Sequence, residues 1–62
     1  MELSMNDSAK FEKIVTAFQE MGVFVVSATS VMPDGELWYH VRTIKGVSPE
    51  QGRKIMQIMT SK

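Results

Sequence analysis

Trp38, His40 and Arg42 occupy alternate positions of the stretch ELWYHVRTIK. In a strand, successive side chains point to opposite faces, so an indole, an imidazole and a guanidinium would form one row. Groups of these types stack on bases and contact phosphates. Tryptophan and arginine are equally typical of the few residues that dominate protein–protein binding. The plainer reading is that Trp38 fills a small core and Arg42 covers it with its aliphatic stem. Arg53 and Lys54, on a later helical stretch, are the cations that would join the row on a polyanion. His40 is the only histidine. Catalysis would use it as a general base, and the version to weigh is a small RNA-cleaving toxin. No Gly-rich phosphate loop, paired carboxylates or nucleophile motif accompanies it. The chain therefore reads as a non-enzyme with no catalytic residues, no cofactor and no evident small-molecule substrate. With one histidine and no cysteine, metal binding is not expected either.

A chain of 62 residues makes a single domain, 1–62, near the lower limit at which a core alone sustains a fold. Without cysteine no disulfide can staple it, and small unstapled chains often gain stability by oligomerising. No apolar run approaches the ~20 residues that span a bilayer, so no membrane partner is expected. The opening MELSMNDSAK has neither the basic head nor the apolar stretch of a secretory signal. A soluble cytoplasmic protein is the default expectation.

Net charge is zero, but it is unevenly placed. Residues 1–39 set Lys10 and Lys13 against Glu2, Asp7, Glu12, Glu20, Asp34 and Glu36, a net of −4. Residues 40–62 set Arg42, Lys45, Arg53, Lys54 and Lys62 against Glu50, a net of +4. Such asymmetry can make a basic patch, although the two halves can also neutralise each other in the fold or across a dimer.

The elements that must position the row follow from the periodicities. Met32-Pro33-Asp34-Gly35 separates VFVVSATSV from ELWYHVRTIK and reads as the turn of a β-hairpin, either a loop with a G1-type bulge or a four-residue loop. Leu37, Tyr39 and Val41 share one face of the second strand; Trp38, His40 and Arg42 share the other, with Ile44 at its base. The first strand leaves two registers open. A three-residue loop opposes Met32 to Glu36 and puts Phe24, Val26 and Ala28 on the tryptophan face. A two-residue loop moves them to the other face. In both cases the two faces carry large apolar groups, so each calls for a cover.

Before the hairpin, Phe11, Ile14, Val15, Phe18 and Met21 recur at spacings of three and four, predicting a helix over 8–21 capped by Asp7 or Ser8 and ended by Gly22. After it, Ser48-Pro49-Glu50-Gln51 carries a capping box that opens a second helix. Ile55, Met56, Ile58 and Met59 form its apolar side, and its methionines make an adaptable surface. Residues 1–6 have no periodic pattern and are expected to be disordered.

The expected fold is α+β, helix–β-hairpin–helix (αββα), with two helices packed on a two-stranded antiparallel sheet. Phe11, Ile14, Val15, Phe18, Leu37, Tyr39, Val41, Ile55 and Ile58 are the expected core. The order of elements resembles small phage head-completion proteins and some small regulators of bacterial stress responses, a likeness of topology that implies a virion-assembly or regulatory role and assigns no residue. Three functions are expected in this order. The first is a non-enzymatic module that binds a protein partner and acts as a homodimer, since a two-stranded sheet leaves both edges unpaired. The second is a nucleic-acid-binding module using the hairpin face with Arg53 and Lys54. The third is a virion-assembly component.

Overall fold

The computed structural model describes residues 1–61, in the order β1 (Glu2–Met5), α1 (Ser8–Glu20), β2 (Val25–Val31), β3 (Leu37–Thr43) and α2 (Pro49–Thr60). The hairpin turn sets the register of the rest. Met32 donates its amide to the Glu36 carbonyl at 2.8 Å, and Gly35 donates to the Met32 carbonyl at 2.8 Å. Gly35 holds a φ of 89°, and the Asp34 carboxylate accepts the Glu36 amide at 2.9 Å. This is the three-residue loop with a G1 bulge. It resolves the open register: Val26 opposes Arg42, Ala28 opposes His40 and Ser30 opposes Trp38.

α1 begins where the Asp7 carboxylate accepts from the amides of Ala9 and Lys10 at 3.0 and 3.2 Å, satisfying two otherwise unpaired donors. It ends in a Schellman motif, with Gly22 donating to the Gln19 carbonyl and Val23 to the Phe18 carbonyl at 3.1 and 2.9 Å. Gly22 sits at a φ of 72°, where a Cβ crowds the following carbonyl. Gly22→Ala is expected to cost roughly 1–2 kcal/mol. In urea unfolding, the midpoint should fall while the slope stays unchanged. α2 opens on the complete capping box: Ser48 Oγ accepts the Gln51 amide at 3.2 Å and Gln51 Oε1 accepts the Ser48 amide at 2.9 Å.

The sheet departs from the expected hairpin. It has three strands in the order β1-β3-β2, both pairings antiparallel, so the element order is βαββα rather than αββα. β1 and β2 run parallel on either side of β3, the arrangement of a split βαβ unit. Residues 2–5, within the segment expected to be disordered, form β1 and pair Leu3 with Val41 and Met5 with Tyr39. Local pattern reading misses them for a physical reason. Glu-Leu-Ser-Met is short and has no β-branched or aromatic residue, and its strand geometry comes from a partner far along the chain. The helix–hairpin–helix order behind the likeness to phage and stress-response proteins is thus only the later part of this fold.

Both helices cover the same side of the sheet. Met5 and Val41 face them and join Ile14, Phe18 and Ile55 in one buried core, with Phe11, Val15, Tyr39 and Ile58 packed half-buried around it. The Phe11 and Tyr39 rings stack with centroids 4.8 Å apart. Leu37 was expected in this core but is 40% exposed, and its cross-strand partner Val31 is 69% exposed. Both lie on the helix side near the hairpin tip, where the helices no longer cover the sheet. Lys10 Nζ donates to the Met59 carbonyl at 2.8 Å, placing a cation on the negative end of α2. Among the described residues, no helix is long and apolar enough to cross a membrane.

Candidate protein-binding face

With both helices on the Val41 side, the opposite face of the sheet has no cover among the described residues. β3 is the central strand, so Trp38, His40 and Arg42 run down the middle of that open face. Their cross-strand neighbours are small: Ser30 beside Trp38, Ala28 and Ser4 beside His40, Val26 and Glu2 beside Arg42. The expected row therefore exists, and large side chains stand above small ones.

His40 is clamped. Its Nδ1 lies 2.8 Å from Ser4 Oγ on β1, and its Nε2 lies 2.8 Å from Ser30 Oγ on β2. One imidazole thus ties all three strands together, and each hydroxyl can donate or accept to suit the ring tautomer. A nucleophile–base–orienter chain can be traced as Ser30–His40–Ser4. Among the described residues the ring bonds to these two hydroxyls and to no carboxylate, and the Ser30 amide lies in the ladder with Trp38. The serines were not singled out from the sequence, because Ser4 lies on the unrecognised β1 and Ser30 needs the resolved register.

Below the row the face turns apolar. The Ile44 amide donates to the Phe24 carbonyl at 3.1 Å, carrying the pairing and its alternation one step past β2 and β3. Phe24 is 80% exposed, Ile44 64% and Val26 49%. Large apolar groups scattered singly on a surface are ordinary, whereas neighbours on adjacent strands make a patch. Phe24 and Ile44 also line a cleft of about 300 Å³ with Met21, Val23, Lys45 and Gln51. A second, more open recess of similar volume lies over Ser4, Ala28, His40 and Arg42. The face therefore combines an apolar end that borders a cleft at the end of the sheet, where Lys45 lies, with an aromatic and imidazole centre and a cation at Arg42.

Arg53 and Lys54 do not join this surface. They are exposed on α2, in the helix layer behind the sheet, and Arg53 Nε turns back to the Pro49 carbonyl at 3.3 Å. The sequence gives no sign of which side of the sheet a helix covers, so their distance from the row was not legible there. Glu2, by contrast, is the cross-strand partner of Arg42, so that pair carries one charge of each sign. Among the described residues, no group of three or more His, Asp or Glu side chains is placed to hold a metal ion. Compared with protein-family models, with curated proteins and with solved structures, the chain matches none.

Proposed function

We propose that this chain is a small protein-binding module whose working surface is the uncovered face of its sheet. The observation that carries the reading is the patch of Phe24, Ile44 and Val26, exposed by 80, 64 and 49%, running into the Trp38–His40–Arg42 row. Burying apolar surface contributes about 25 cal/mol per Å², so these side chains gain most from a partner that covers them. The partner this face suits offers a large apolar side chain to the Phe24–Ile44 cleft and a carboxylate to Arg42 or Lys45. His40, fixed by two hydroxyls, presents a preorganised edge that loses little freedom on binding.

The nucleic-acid reading has one feature in its favour, the aromatic and guanidinium groups on the central strand of an open sheet. Against it, Arg42 has Glu2 as its neighbour, and the cations of α2 lie in the other layer. Among the described residues, this face therefore carries no basic stripe that would track a phosphate backbone.

Selection of displayed peptides against the wild-type chain and against a Phe24→Ser/Trp38→Ser double variant tests the proposal. The wild type should enrich peptides with a bulky apolar residue next to an acidic one, and the double variant should lose them. Enrichment of the same peptides by both proteins, or none by the wild type, overturns it. So does tight binding of a single-stranded oligonucleotide whose affinity falls steeply with salt.

A further inference from the structure

The two edges of the sheet are guarded unequally. β1 is short and carries Glu2, both ordinary defences of an exposed edge. β2 is seven residues long, Val25-Val26-Ser27-Ala28-Thr29-Ser30-Val31, with no charge, proline or glycine. In an antiparallel ladder, alternate residues direct their amide and carbonyl toward the partner. The Met32–Glu36 and Ile44–Phe24 hydrogen bonds fix that phase. The even-numbered residues of β2 bond to β3, which leaves the amides and carbonyls of Val25, Ser27, Thr29 and Val31 along the free edge. The β2 sequence is also nearly symmetric about Ala28: valine at both ends, serine and threonine on either side of the centre.

We infer that β2 pairs antiparallel with β2 of a second copy of this chain about a twofold axis through Ala28, joining two three-stranded sheets into one of six strands. In that register every outward-facing residue meets another. Val25 pairs with Val31 of the second copy, and Ser27 with its Thr29; each pair exchanges both backbone bonds. The cross-strand neighbours are valine with valine and hydroxyl with hydroxyl, both favourable combinations. Val31, 69% exposed in the single chain, gains an apolar neighbour. On the open face Ala28 meets Ala28, and Val26 meets Ser30, without bulk to hold the strands apart. A shift of register by two residues shortens the overlap and breaks this symmetry.

A twofold contact closes on itself, so it consumes the unguarded edge without propagating to a fibre. The inference is independent of what the open face binds. It would set the two open faces side by side in one plane.

The chain has no cysteine, so single cysteines report the register. Ala28 is exposed and, in the proposed pair, lies on the axis with Cα atoms about 4.5 Å apart, within disulfide reach. Ala28→Cys should therefore oxidise rapidly to a covalent dimer. Ser30→Cys should not, because the two copies of residue 30 are displaced about 13 Å along the strands. Mixing Ser30→Cys with Val26→Cys should give the crosslinked heterodimer. Untagged wild type should scatter light with the mass of two chains, and Ala28→Lys, which sets like charges face to face, should return it to one chain with its circular dichroism intact. Equal crosslinking of Ala28→Cys and Ser30→Cys alone overturns the register. A one-chain mass for the wild type at high micromolar concentration overturns the dimer, and a two-chain mass retained by Ala28→Lys places any association elsewhere.

Discussion

Replacing Phe18 with alanine is expected to remove most of the stability of this domain. Phe18, Ile14 and Ile55 are 0% exposed and Val41 2%, and these are the largest side chains the fold buries completely. A buried phenylalanine truncated to alanine costs ~3–5 kcal/mol, through lost transfer free energy and the cavity left behind. Natural domains hold roughly 0.05–0.15 kcal/mol per residue, which for this length is on the order of 3–9 kcal/mol. Phe18 also gives its carbonyl to the Val23 amide, so the side chain and the helix terminus that turns the chain toward β2 meet at one residue. Chemical denaturation followed by circular dichroism should show a pretransition baseline that is shortened or absent. Leu37→Ala is the control, with a cost well under that of Phe18→Ala because Leu37 is 40% exposed. Similar midpoints for the two variants would mean that the core lies elsewhere.

The second large effect belongs to the open face. For a peptide recovered by selection, Trp38→Ala is expected to weaken binding by ~2 kcal/mol or more, as removal of a central aromatic anchor does. That is about a thirtyfold rise in Kd. Phe24→Ala should act on the same scale, since its ring is the most exposed large apolar group and lines the cleft beside Ile44. Arg42→Ala should also weaken binding, through lost packing and lost paired hydrogen bonds to a carboxylate. Raising salt should change these affinities only modestly, in contrast to the steep dependence produced by counterion release from nucleic acid. Calorimetric titrations of the three variants at low and high salt check all of this. Folding should survive each change, because none of the three side chains belongs to the buried core. If all three variants bind as the wild type does, the face is idle.

Much of this geometry is legible in the sequence wherever the determinant is local. Pro33-Asp34-Gly35 announces the turn, because each residue supplies what its own position needs. Asp7, Gly22, Ser48 and Gln51 mark helix ends by the hydrogen bonds they make within a few residues. The alternation of Trp38, His40 and Arg42 follows from strand geometry alone. What the sequence hides is set at a distance. β1 has no pattern of its own and becomes a strand because β3 has an edge to offer. The register of β2 depends on one residue of loop length, since both of its faces are partly apolar. Which face the helices cover is decided by Ile14, Phe18 and Ile55 meeting Met5 and Val41 in three dimensions. That choice leaves half-buried Trp38 on the same uncovered face as the exposed Phe24 and Ile44, and sends Arg53 and Lys54 to the far layer. The serine clamp on His40 needs both the unseen strand and the resolved register.

The split order of the sheet has a kinetic meaning. β1 precedes α1, β2 and β3 along the chain, yet its neighbour in the sheet is β3, so it waits through α1, β2 and the turn before it can pair. The hairpin of β2 and β3 closes a short loop and can form early, whereas docking β1 closes a loop that spans most of the chain. Such non-local closure slows folding. Until it happens, β3 has an open edge of its own, the slot that Leu3 and Met5 later fill. A second nascent chain could place its β1 there just as well. Folding speed and the risk of strand exchange should therefore both depend on how quickly this short segment finds its place, and pulse-labelled hydrogen exchange should find the β1–β3 amides protected last.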